Sequence, residues 1–181
     1  MAEEGNDVLT DLDGGAAPNG ADTRPTAGVV TQYVKDLSVE NPNAPASFQW
    51  QEQPSIDVQF NIAAEKVGDE MHEVVLKTGI TSKAGDQTAF IVELEYAGLI
   101  GLRNMDAENE HAFLYAEAPR LLFPFARRVI ADAVRDAGFP PLMLEPIDFN
   151  GLYMQQLAAR REEGVDPLAP NEGDQPAGGE G

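Results

Sequence analysis

MHEVVLKTGITSKAGDQTAFIVELEYAGLI, residues 71–100, is the stretch whose reading decides the fold. In its first half His72, Val74, Leu76, Thr78 and Ile80 share one side of an alternating pattern, and Glu73, Val75, Lys77, Gly79 and Thr81 share the other. A polar turn, Ser82 to Gln87, then reverses the chain. In the second half Phe90, Val92, Leu94 and Tyr96 point one way while Ile91, Glu93 and Glu95 point the other. A period of two on both sides of a turn predicts a β-hairpin with one greasy face and one partly acidic face.

Two further strands are expected upstream. From Val29 the alternation sets Val29, Thr31, Tyr33, Lys35, Leu37 and Val39 against Val30, Gln32, Val34, Asp36, Ser38 and Glu40, until Asn41-Pro42-Asn43-Ala44-Pro45 ends it. Two prolines so close together forbid a regular ladder and hold the chain extended. Phe48 and Trp50 follow in a loop. From Ser55 to Ala63, Ile56, Val58, Phe60 and Ile62 oppose Asp57, Gln59 and Asn61. Short connections favour an antiparallel sheet, and Asp36, Glu40, Asp57, Glu73, Glu93 and Glu95 all fall on its acidic side.

Beyond Gly101 the period changes to that of a helix. Asp106 is placed to cap a helix carrying Glu108 and Glu110 in its first turn, where carboxylates suit the helix dipole. Pro119 and Pro124 predict a break or kink between Leu121 and Phe125. Leu122, Ala126, Val129, Ile130, Ala133, Val134 and Ala137 trace an apolar stripe, and Gly138 ends it. After a proline-studded connector, Asp148 is expected to cap a last helix reaching about Arg161. The fold class is α+β: a four-stranded antiparallel sheet with helices packed on one face.

Composition narrows the function. The 181 residues hold 31 acidic against 12 basic side chains, a net charge of -19, which opposes binding to nucleic-acid phosphates or anionic lipid. There is no cysteine, so thiolate catalysis, disulfides and cysteine-held metal centres are excluded. The opening residues lack the basic flank of a secretory signal and no apolar run is long enough to span a bilayer, so a soluble, cytosolic protein with no direct membrane insertion is expected. Residues 1–28 and 164–181 are rich in glycine, proline and acids, and are expected to be disordered arms around a domain at 29–163.

No catalytic or metal motif stands out. His72 and His111 lie in different elements without metal-ligand spacing, and Gly98-Leu99-Ile100-Gly101 is neither a dinucleotide fingerprint nor a phosphate loop. A non-enzyme with no cofactor and no metal is expected, with a carboxylate-dependent hydrolase as a rival that lacks any recognisable motif. Acids clustered on a sheet face suit a basic partner, whether as a docking surface or as a mimic of nucleic acid. Aromatic and apolar residues in the two proline-bounded loops divide between core and a groove for varied partners.

Three segments carry a resemblance: KDLSVENPNAP at 35–45, LLFPFAR at 121–127, and GFPPL at 138–142 continuing through PIDF at 146–149 to Leu152-Tyr153. In order and spacing they resemble the SecB family of protein-export chaperones, and the likeness runs from about Val29 to Arg160. It implies an ATP-independent holdase, a homotetramer built as a dimer of dimers, that keeps precursors unfolded and delivers them to the motor SecA. Carried over, the peptide groove would include Phe48, Trp50, Phe139, Leu142, Phe149 and Tyr153. SecA would bind Asp36, Glu40, Ile91 and Glu93. Val92, Leu94 and Tyr96 match positions tied to tetramer assembly, and core packing under the helices explains them equally well.

Overall fold

In the computed structural model, which describes residues 23–169, the expected hairpin forms the centre of one four-stranded antiparallel sheet. The strands are β1 (Thr26–Glu40), β2 (Ser55–Gly68), β3 (Met71–Ala84) and β4 (Gln87–Arg103), in the spatial order β1-β4-β3-β2. The α+β class and the four strands are those expected. The turn between β3 and β4 is Gly85-Asp86, and Gly85 has the positive φ, 56°, that a tight hairpin turn demands. Across the hairpin His72 pairs with Ile100, Leu76 with Tyr96 and Ile80 with Val92, so the two greasy faces coincide.

Two strands are longer than their alternation suggests. β2 continues past Ala63 to Gly68, held by pairing to β3 and turning at Asp69-Glu70, while β4 runs to Arg103. β1 starts at Thr26 and contains register shifts between Val29 and Thr31 and between Val34 and Asp36. Each bulge inserts one residue and inverts the alternation. Because there are two, the ends of β1 keep the expected phase while the middle is reversed. Gln32 and Val34 join the helix-facing side, opposite Gly98 and Tyr96, and Tyr33 moves to the open side with Ala97.

The helical layer begins at Asp106, whose carboxylate accepts the Asn109 N–H at 2.9 Å and caps α1 (Ala107–Ala112). α1 runs through a π turn, Phe113–Glu117, into α2 (Ala118–Asp136). Of the expected break or kink between Leu121 and Phe125, the break does not occur, since α2 is continuous there; an irregular turn lies upstream, where the Ala118 N–H reaches the Phe113 carbonyl, five residues back. That wider turn places Pro119 in the first turn of α2, where an amide donor is not required, and α2 then continues through Pro124. Gly138, at φ 93°, ends the helix, and the Phe139 N–H bonds the Val134 carbonyl at 3.2 Å. α3 (Phe149–Glu162) is capped by Asp148 as expected, through the Gly151 N–H at 2.9 Å.

The core lies between these layers. Leu122, Ala126, Ile130 and Val134 of α2 are buried against a sheet face containing Val74, Leu76, Ile80, Val92, Leu94 and Ile100. Burial of each large aliphatic contributes about 1.5–3 kcal/mol. After α3 the chain turns at Gly164, and the Arg160 guanidinium donates to the Pro167 carbonyl at 3.3 Å. The rest of the two expected arms, residues 1–22 and 170–181, lies outside the described residues.

Candidate functional site

The crossover from β1 to β2 is anchored by side chains. Asn41 donates to the Ala137 carbonyl at 2.9 Å and Asn43 to the Thr88 carbonyl at 2.8 Å, which ties the proline loop both to the end of α2 and to the start of β4. This fixes the loop's short 3-10 turn, Ala46–Gln49, near the start of β4 and the end of α2. Phe48 then stacks on Phe139 with ring centroids 5.3 Å apart, and Phe139 on Phe90 at 4.9 Å. Phe48 stays 49% exposed while its ring lies over Gly138, where a β-carbon would stand 2.9 Å from it.

A second aromatic group lies between β2 and α3. There a cavity of about 360 Å³ is lined by Phe60, Asn61 and Ile62 of β2, by Tyr115 of the π turn, and by Phe149, Leu152, Tyr153, Gln155, Gln156 and Ala159 of α3. Phe149 and Tyr153 are only 2% and 5% exposed and form its floor, whereas Leu152, at 45%, stands at its rim. Phe123 braces the floor from behind, 5.6 Å from Phe149 and 6.1 Å from Phe60, both edge to face. The Tyr153 hydroxyl meets His111 Nδ1 at 2.9 Å, and burial raises the phenol above its ordinary value, so it stays protonated.

Of the six residues expected in the groove, Phe48 and Phe139 stack together and Phe149 and Tyr153 line the cavity. Trp50 and Leu142 sit half-buried against the core edge and do not line it. Phe60, Ile62, Tyr115 and Leu152 were not expected as lining residues. The i, i+3, i+4 spacing of Phe149, Leu152 and Tyr153 is a signal for the last of these; for Phe60 and Ile62 it is their place on the helix-facing side of an edge strand.

The open face of the sheet is chemically different. In register, Asp36 lies beside Glu95, Ser38 beside Glu93 and Glu40 beside Ile91, so Asp36, Glu40, Ile91 and Glu93 come together on neighbouring strands. Glu95 is neutralised by Lys77 at 3.0 Å, but among the described residues Asp36, Glu40 and Glu93 have no ion-pair partner within 4 Å. The second bulge of β1 carries Lys35 to this face, where its ammonium meets Glu73 at 2.5 Å. Tyr33 also donates to Glu73, and its phenol is pushed up to about 12 by that bond, by burial and by the carboxylate charge. Burial works to raise the Glu73 carboxyl, but the bonds from Lys35 and Tyr33 and the Lys35 charge together outweigh it and hold the group below its ordinary value, so it adds no free charge.

Val92, Leu94 and Tyr96 are on the opposite, helix-facing side and are buried within the chain. The helices of the same chain cover these side chains, as the core-packing alternative requires.

Neither histidine forms part of a metal cluster; among the described residues no group of three or more His, Asp or Glu is placed to hold a metal ion. His72 is buried on β3, with Nε2 3.1 Å from Glu110 of α1 and, among the described residues, no hydrogen-bond partner for Nδ1. Lys66 lies beside it on β2. Burial, opposed by Glu110 and assisted by Lys66, lowers its pKa below the ordinary 6.5. The unfolded chain then binds the proton more readily, so the contribution is fully present above about pH 6.5 and is lost as pH falls toward the folded value. The expected result is a melting temperature that drops from pH 7.5 to 5.5, with a shallower drop in His72→Gln. An identical slope in both would remove His72 as the cause.

Comparison with known proteins gives a consistent set of likenesses. The sequence model of a protein family described as preprotein translocase subunit SecB matches residues 20–160. A protein-export protein SecB of Novosphingobium aromaticivorans is 65% identical over 87% of this chain and 92% of its own. One from Erythrobacter litoralis is 63% identical over 90% and 92%. Among solved structures, the Mycobacterium tuberculosis SecB-like chaperone in complex with an antitoxin's ChAD peptide matches with a TM-score of 0.57, covering 67% of this chain and 90% of that one. At 19% identity that match speaks for the fold.

Proposed function

The chain belongs to the SecB family of export chaperones, and from that premise we propose how its two faces divide the work. The aromatic cavity between β2 and α3, with the Phe48–Phe139 stack, takes apolar segments of unfolded precursors. The acidic face around Asp36, Glu40, Ile91 and Glu93 docks the motor SecA. The working particle is a homotetramer, a dimer of dimers, in the cytoplasm. Among the described residues no helix is long and apolar enough to cross a membrane.

The observation that carries the reading is this separation. An uncharged aromatic cavity on the helical side and unpaired carboxylates on the far side of the same sheet can be occupied at once. Holding needs no nucleotide, because loss of apolar surface to water drives entry and several weak contacts around one particle raise the effective concentration. Positively charged flanks of a client gain in addition from the negative exterior. Membership of a chaperone family does not favour the nucleic-acid mimic.

The test uses a permanently unfolded precursor, the same precursor folded, and SecA, all without nucleotide. Selective binding of the unfolded form is expected. Asp36→Lys with Glu93→Lys should weaken SecA binding by about tenfold or more while leaving precursor affinity within about twofold, since exposed charge reversal acts on the complementary surface alone. Equal loss of both partners would remove the division of faces, and binding of the folded form as tightly as the unfolded form would remove the holdase.

A further inference from the structure

The cavity between β2 and α3 has an unusual polar complement. Charged residues make up 24% of the sequence, yet among the described residues none lines it. On α3 the polar side chains that line it are Tyr153, whose hydroxyl is taken by His111 at 2.9 Å, and the carboxamides of Gln155 and Gln156, neither of which makes a side-chain hydrogen bond among the described residues. The remaining amide, Asn61, shares the open face with Lys77 in the sheet register, which leaves the two glutamines as the heads available at the helical side.

An unfolded segment that buries its side chains also brings an N–H and a C=O at every residue, and each costs free energy if left unpaired. A carboxylate could satisfy only the donors and an ammonium only the acceptors, and either would carry its own desolvation cost beside four aromatic rings. A carboxamide offers both a donor and an acceptor without a charge. Two of them, on adjacent residues with long, flexible stems, can follow a backbone whose register changes from client to client.

We infer that Gln155 and Gln156 are main-chain readers: they hydrogen-bond the backbone of the client segment whose apolar side chain fills the cavity. This rests on the cavity being part of the client groove. It defines the preferred client segment as uncharged, anchored by one aromatic or branched aliphatic residue, with its backbone free of internal pairing. Side-chain sequence matters little beyond that anchor.

The experiment uses the full chain and two labelled probes: an uncharged peptide with one central phenylalanine, and the same peptide N-methylated at the two peptide nitrogens flanking it. Gln155→Met with Gln156→Met keeps length and helix propensity but removes both donors and acceptors. The double variant is expected to bind the unmodified peptide about tenfold more weakly, the effect of two neutral hydrogen bonds, and the N-methylated one, which keeps its carbonyl acceptors but lacks the two N–H donors, by a smaller factor of about threefold. No loss on the unmodified peptide, or equal loss on both, overturns the inference. Leu152→Ala, at the rim, should weaken both peptides alike. If Leu152→Ala weakens binding while the glutamine variant does not, only the main-chain role falls. If the unaltered chain binds neither peptide nor a permanently unfolded precursor, the groove reading fails and the inference with it.

Discussion

Leu122→Ala is expected to lower the unfolding free energy by about 3–5 kcal/mol, a large part of the 5–15 kcal/mol typical of a domain. Leu122 is fully buried at the point where α2 crosses β4, and its Cδ2 lies 2.8 Å from where a β-carbon on Gly98 would stand. The glycine is therefore required by the close approach of helix and strand. Gly98→Val alone should destabilise by about 1–3 kcal/mol through overpacking. In the double variant the valine enters the space that the leucine vacates. The combined loss should then fall short of the sum by about 1 kcal/mol or more. Urea midpoints at one fixed protein concentration measure all four chains, the concentration being held because self-association shifts apparent stability. Additive losses would mean that α2 and β4 do not share this contact.

That contact also explains what could be read in advance. The hairpin was legible because a period of two runs unbroken through both of its arms, and a one-residue slip would have exposed Leu76 and Leu94 together. The caps at Asp106 and Asp148 were legible because a side-chain oxygen ahead of a helical pattern has one cheap use. The middle of β1 was not, since Gln32 and Tyr33 are each tolerable on either face and a pair of bulges leaves both strand ends in phase. The prolines did not break α2, because the chain absorbs Pro119 by widening the turn before it and carries on as one helix through Pro124.

The site divides in the same way. Phe149 and Tyr153 could be found from helical spacing, and the acidic face from alternation, because both signals are local. Phe60 and Ile62 reach the cavity only because the edge strand β2 passes α3, which is a consequence of tertiary packing. Val92, Leu94 and Tyr96 show the converse. Alternation already put them on the greasy face, and once α2 covers that face their side chains are enclosed.

The sharpest functional contrast is expected between two neighbours on α3. Phe149 is 2% exposed and braced edge to face by Phe123, so Phe149→Ala should cost about 3–5 kcal/mol and also remove the cavity floor. Holding of an unfolded precursor should weaken by about tenfold or more even where the variant is still folded, since the anchor loses the burial of a large side chain. Leu152 is 45% exposed at the rim, so Leu152→Ala should leave the urea midpoint almost unchanged, a shift of about 0.5 kcal/mol, while weakening holding several-fold. The pair separates stability from binding: a groove lost only through unfolding would spare Leu152→Ala, and a cavity that serves the core alone would spare holding in both. Loss of holding in Leu152→Ala at full stability is the outcome that ties the cavity to the client, because that side chain stands at the exposed rim and outside the buried core.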